Sequence, residues 1–253
     1  MSAKGRSHGV RLKIERAKEH IRNLDTAIGI FLRDEPYRIG AKPHPVPQID
    51  HTTLYIAEVQ PVPDQFSLII GDAVHNLRSA LDYLMWQLVE VAGGIPDKNI
   101  YFPVSQTTQQ FQSATGNREI QKITPEALNI IHSVQPYTTL DQTLWLLHQL
   151  DIVDKHRLLL TTVASMDKWG VDLAIGQTLW FNSERFVPLV AGNEVVNLPT
   201  STYERQAGKD FQLGVDIAFG KSEIAEGELV LYTLNKMSDF VEGLVSRFDR
   251  FLS

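Results

Sequence analysis

From Val10 to Phe31 the apolar residues Val10, Ile14, Ala17, Ile21, Leu24, Ile28 and Phe31 follow one another in alternating steps of four and three, the seam of an amphipathic helix. Glu15, Arg16, Lys18, Glu19 and Arg22 fill the other faces, and Asp34, Glu35 and Pro36 lead from this helix into a proline-rich stretch, Lys42 to Pro47, predicted to be a loop. Thr52 to Val59 is β-branched and aromatic and reads as a strand, stopped by Pro61, Val62 and Pro63. Asp64 or Ser67 then caps a helix running to about Ala92, with Ile70, Ala73, Leu77, Leu81, Leu84 and Leu88 as its apolar face and Gly93 and Gly94 as its stop. Two shorter helices follow. Ser105 is expected to begin one; Thr124 begins the other, with Pro125 in the first turn, where a missing N–H costs nothing, and Pro136 closes it. Asp141 opens a further helix through Leu144, Trp145, Leu146, Leu147, Leu150, Ile152 and Val153, apolar nearly all round, hence expected to be buried, and ending near Arg157.

Beyond Arg157 the period changes to two. Val171, Leu173 and Ile175 alternate, as do Phe211, Leu213, Val215, Ile217 and Phe219, and Gly192-Asn193 reads as a hairpin turn between Val187 to Ala191 and Glu194 to Leu198. Leu234, Met237, Val241, Leu244, Phe248 and Phe251 restore helical spacing up to the C-terminus. The fold class implied is α+β: a helical bundle of about five to six helices with an antiparallel sheet formed mainly by the C-terminal half. No linker interrupts the pattern, so one domain is expected, with a helical core over 10–157 and 232–252 and a sheet-rich part over 158–231 joined by the strand at 52–59. The matching seams of the two terminal helices suit packing on each other or on a second copy, and self-association is the expectation they raise.

Composition narrows the chemistry. Hydrophobic residues at 43% and charged residues at 21% are ordinary for a folded protein. The absence of cysteine removes disulfides, thiolate metal sites and thiol nucleophiles, and with no apolar leader or membrane-length segment it points to a cytoplasmic protein without membrane contact. The net charge is −6, but residues 1–24 carry seven Lys or Arg against Glu15 and Glu19, which leaves −11 on the remainder. Such a basic arm could touch RNA or another acidic partner, but a solvated helix face has the same pattern, and the acidic body argues against non-specific binding of duplex DNA.

Two helices combine apolar faces with ionisable residues. At about 100° per residue, His75, Arg78 and Asp82 fall on one stripe beside the apolar face of the central helix, where a base, a cation and a carboxylate could act as general base, clamp and orienting group. A salt-bridged trio that fastens the helix to its neighbour has the same pattern. The second cluster is His148, Asp151 and Lys155, followed by Asp154, His156 and Arg157 at the helix end, where cations also complement the helix dipole. Because the rest of that helix is apolar, these side chains need internal partners or a water-filled pocket. The His and Asp spacing offers nitrogen and oxygen donors, but no dense ligand motif is present and Lys155 and Arg157 would repel a cation, so no metal is expected. Nor is any other cofactor. Gly93 and Gly94 end a helix where a phosphate-binding loop would begin one, and no serine stands in a nucleophile elbow.

The segments Gly71-Asp72-Ala73-Val74-His75-Asn76-Leu77-Arg78-Ser79-Ala80-Leu81-Asp82, Phe102-Pro103-Val104 and Leu150-Asp151-Ile152-Val153-Asp154-Lys155-His156-Arg157 together resemble a bacterial protein family of unassigned activity. That resemblance implies that the two helices belong to one constellation. The chain is also similar, more faintly, to the HEPN superfamily, helical proteins of bacterial defence and toxin systems whose RNA-cleaving members carry an arginine followed four to six residues later by a histidine. Here Tyr83 stands at the fitting position after Arg78, so the histidine would have to be His75 or His156, and the sheet is an addition to a purely helical bundle. The enzyme reading is then metal-independent RNA cleavage, with His75 or His156 taking the 2′-hydroxyl proton and Arg78, Lys155 and Arg157 stabilising charge on the phosphate. The alternative is a non-catalytic, homo-oligomeric module in which the same cations hold an acidic ligand or protein partner. A third reading makes both clusters structural.

Overall fold

The structure is a computed structural model, and it describes residues 3–134, 142–156, 162–172, 178–205, 211–221 and 224–252. Among these are seven α-helices and six strands: α1 Ala3–Arg33, β1 Tyr37–Pro43, β2 His51–Val59, α2 Asp64–Val91, α3 Thr108–Thr115, α4 Pro125–Ser133, α5 Thr143–His156, β3 Thr162–Asp172, β4 Thr178–Pro188, β5 Glu194–Pro199, α6 Thr200–Arg205, β6 Phe211–Phe219 and α7 Val230–Ser246. The fold is α+β, with the sheet mostly in the C-terminal half. The strands form two antiparallel sheets instead of the one expected, ordered β1-β2-β5 and β4-β3-β6. The chain divides into two compact units, one of Met1–Leu24, Ser67–Leu160 and Leu231–Ser253, the other of Asp25–Phe66 and Thr161–Val230.

The first unit is helical. The seam of α1 is buried as its spacing predicts, from Val10, Ile14 and Ala17 to Ile21 and Leu24, and so are Leu234, Met237, Val241 and Leu244 on α7. Lys18 reaches Glu242 at 2.8 Å and Arg11 reaches Asp249 at 2.6 Å, so charged residues beside the two seams pair within one chain. Most of the apolar residues on which the self-association expectation rested are thus buried in a single copy, whereas Phe31 and Phe251 are half-buried. The C-terminal helix is shorter than its pattern suggests: α7 stops at Ser246 and a 3₁₀ turn, Asp249–Phe251, brings Phe248 and Leu252 into the core. On α2 all six predicted face residues, Ile70 to Leu88, are buried.

Helix starts follow side-chain chemistry. Thr124 caps α4 by accepting from the Ala127 N–H at 3.4 Å, with Pro125 at the first position. The cap of α3 is Thr107, which accepts from Gln110 N–H at 3.2 Å, so the expected start at Ser105 lies too early. Pro136 and Asp141 lie outside the described residues. In α5, Leu144, Leu147 and Leu150 are buried, but Ile152 is exposed and Trp145 and Leu146 are half-buried, so the helix has a solvent face that its apolar composition concealed.

In the second unit the predicted strand is β2, the centre of its sheet. Its neighbour β1 begins at Tyr37 and ends at Pro43, so the proline-rich loop starts only beyond Pro43. Proline is tolerated there because β1 is an edge strand and Pro43 its last residue. The turn at Gly192-Asn193 is present, with Gly192 at φ 95°, but it is a corner between sheets and not a hairpin. Its two flanks separate: β4 pairs with β3, β5 pairs with β2, and the turn itself is held by Gly192 N–H to Ile56 O at 2.7 Å and Ile56 N–H to Asn193 O at 2.9 Å. The alternation from Phe211 to Phe219 is β6; Val171 lies in β3, whereas Leu173 and Ile175 lie outside the described residues.

Candidate functional site in the helical unit

The buried face of α5 carries Leu144, Leu147 and Leu150 and, beside them, Asp151. A carboxylate only 2% exposed in that place needs partners, because an unpaired buried charge costs several kcal/mol. It has two. Asp151 Oδ1 lies 3.0 Å from His75 Nδ1 on α2, and Asp151 Oδ2 accepts from Lys155 Nζ one turn along α5 at 2.5 Å. The stripes of the two helices thus meet through His75 and Asp151. His75 and Lys155 both keep 48% of their side chains exposed, so the buried carboxylate presents two half-exposed nitrogen groups to the surface. The second ring nitrogen, His75 Nε2, is 3.3 Å from Ser79 Oγ.

That arrangement selects a tautomer. Asp151 can only accept, so the imidazole proton belongs on Nδ1, which leaves Nε2 with a lone pair facing outward and able to accept from the Ser79 hydroxyl. The result is a proton acceptor oriented by a buried anion. Ser79 was not singled out from sequence, although its place one turn after His75 carries that signal.

Arg78 and Asp82 do something else. Arg78 is buried, and its Nη2 contacts Asp82 Oδ1 at 2.8 Å and donates to the backbone O of Phe102 at 2.8 Å, while Phe102 N–H donates to Asp82 Oδ1 at 2.9 Å. The ion pair therefore clamps both polar groups of one peptide residue whose ring is wholly buried. Burial works against both charges, lowering the guanidinium and raising the carboxyl, and their contact opposes this. As a set facing one reactant, His75, Arg78 and Asp82 come apart: His75 turns to α5 and the surface, and the other two serve the Phe102 strand of chain. The Phe102-Pro103-Val104 motif acquires its reason here.

The remaining predicted residues fall around this frame. His148 is half-buried beside Trp145, their ring centroids 6.1 Å apart, and its Nδ1 is buried with no hydrogen-bond partner among the described residues. Burial first and the Arg78 charge second push its pKa down to about 4, so the ring is neutral. Asp154 packs against α2 at Gly71, where any β-carbon would overlap its carboxylate. Burial, then the charges of Asp151 and Asp72, hold the Asp154 carboxyl above the ordinary carboxylate range. His156 is the last residue of α5, with its side chain outside the described set, and Arg157 lies outside the described residues. Among the described residues, no three His, Asp or Glu side chains are grouped to hold a metal ion, and no helix is long and apolar enough to cross a membrane.

Compared with family models, curated proteins and solved structures, the chain has no match.

Two outcomes are expected. Arg78→Ala leaves Asp82 and the Phe102 carbonyl without their donor and should cost about 3 kcal/mol or more in urea unfolding, with Arg78→Lys recovering only part of it. For His148, the folded pKa lies below the unfolded value of about 6.5, so the unfolded state takes up a proton first as pH falls. Its contribution is complete above about pH 6.5 and is lost as pH drops toward 4. Discounted for partial solvent screening, the loss is about 2 kcal/mol, and His148→Leu should flatten that part of the stability–pH curve.

Proposed function

We propose that the His75–Asp151 pair is the acid–base centre of a metal-independent, HEPN-like RNA-cleaving enzyme acting in the cytoplasm. The observation that carries the reading is the 3.0 Å contact between a half-exposed imidazole and a nearly fully buried carboxylate. RNA supplies its own nucleophile, so the site has to provide a base, an acid and a cation.

His75 Nε2 takes the proton of a 2′-hydroxyl, displacing Ser79 from that nitrogen. The 2′-oxygen bonds to the adjacent phosphorus and the bond to the 5′-oxygen breaks. Asp151 stabilises the imidazolium that forms, as a buried carboxylate does for a histidine base. Asp154, whose raised pKa favours the protonated form relative to an ordinary aspartate, donates to the departing 5′-oxygen. Lys155, half-exposed beside the same carboxylate, offers a cation to the phosphate. Arg78 has no direct part in this scheme; it holds α2 to the Phe102 segment. The alternative of an acidic-ligand module uses the same exposed His75 and Lys155 without turnover.

The test is a labelled single-stranded RNA incubated with the protein in chelator, alongside the same strand with 2′-O-methyl groups. Wild type should cut only the RNA with free 2′-hydroxyls and leave 2′,3′-cyclic phosphate ends, and His75→Ala should slow the cut about 100-fold or more when assayed well below the variant's own melting temperature. RNA that is bound through His75 but returned intact would assign the pair to binding. Cleavage undiminished in His75→Ala would remove the pair from the chemistry.

A further inference from the structure

The sheet-rich unit contains an open cleft of about 670 Å³, within the range of small-molecule sites, lined by the end of α1, by β1 and by Tyr203 and Phe211. Tyr37 Oη donates to Leu213 O at 3.2 Å and so ties β1 to β6 at this cleft. Glu35 is one of its lining residues and breaks two local rules there. It holds φ at 47°, the only non-glycine residue with positive φ among those described, at a position just past a helix end that glycine usually fills. It also sets a negative charge at the negative end of the α1 dipole, which is unfavourable by itself. Glycine would remove both costs, and nothing in the packing asks for a carboxylate: Glu35 is exposed and has no ion-pair partner among the described residues.

The other lining groups complete a pattern. Arg38 is already paired across the sheet with Glu58. Arg33 has no ion-pair partner among the described residues, so the lining includes one anion and one cation without such a partner there. Tyr203 and Phe211 are half-buried, with near-parallel rings 6.2 Å apart.

We propose that this cleft binds a small zwitterion of the α-amino-acid type with a flat apolar side chain, its ammonium on Glu35, its carboxylate on Arg33 and its side chain against Tyr203 and Phe211. The charges of the ligand replace the missing partners of the two exposed residues, and the aromatic pair supplies the apolar surface. The cleft shares no lining residue with the His75–Asp151 centre.

Isothermal titration of the full chain with L-phenylalanine, phenethylamine and 3-phenylpropionate tests it, because the last two each lack one charged group of the first. Phenylalanine should bind at least about tenfold more tightly than either, and Glu35→Gln and Arg33→Gln should each lose at least about tenfold in its affinity. Glu35→Gly should also lose binding while raising the melting temperature of the free protein, since it relieves the backbone and the dipole together. No binding of phenylalanine at millimolar concentration, equal binding of all three compounds, or undiminished binding by Glu35→Gln would overturn the proposal.

Discussion

A carboxylate on the buried face of a helix is the constraint around which the helical unit's polar site is organised. Asp151 lies beside Leu144, Leu147 and Leu150 and is 2% exposed, so its charge has to be met by groups that can come close without being buried themselves. Lys155 meets it from the next turn of the same helix and His75 from α2. Because one of the partners lies on another helix, satisfying the carboxylate also fixes how α2 and α5 meet. The same requirement orients the imidazole, with one nitrogen committed to the buried anion and the other directed at Ser79 and the surface.

A second buried charge, that of Arg78, solves a different problem in the same helix. Its pair with Asp82 takes both polar groups of the Phe102 backbone, which allows the ring of Phe102 to be wholly buried without stranding its peptide. This clamp gives α2 a rigid support a single helical turn from His75. Gly71 contributes by absence, leaving room for the Asp154 carboxylate close to the helix. The chemistry assigned to His75 thus rests on neighbours that do not themselves face a reactant.

Much of the helical framework was legible in sequence because threes and fours record burial directly: the α2 seam is buried throughout, as are the α1 seam from Val10 to Ile28 and Leu234 to Leu244 on α7, while Phe31 and Phe251 at the far ends are only half-buried. That the polar cluster of α5 needed internal partners was legible too, since the rest of that helix is apolar, but Asp151 was not set apart from His148, Asp154 and Lys155. What the stripe could not separate was His75 from Arg78, since three residues turn the helix by about 300° and leave the two side chains about 60° apart, enough for one to reach the surface and the other the core. The two-sheet arrangement was hidden because Gly192-Asn193 has the same turn chemistry whether its flanks pair with each other or diverge to β2 and β3. The strand β1 was obscured by Pro43, a residue that marks loops yet is harmless at the end of an edge strand.

The central claim is that Asp151 orients His75 by accepting from its Nδ1. Long-range ¹⁵N–¹H correlation spectra of the imidazole, recorded near pH 8, where an ordinary histidine is neutral, report which ring nitrogen carries the proton. The account predicts the Nδ1–H tautomer in the wild type and its loss in Asp151→Ala. A wild-type ring protonated on Nε2, or a spectrum unchanged by Asp151→Ala, would contradict it.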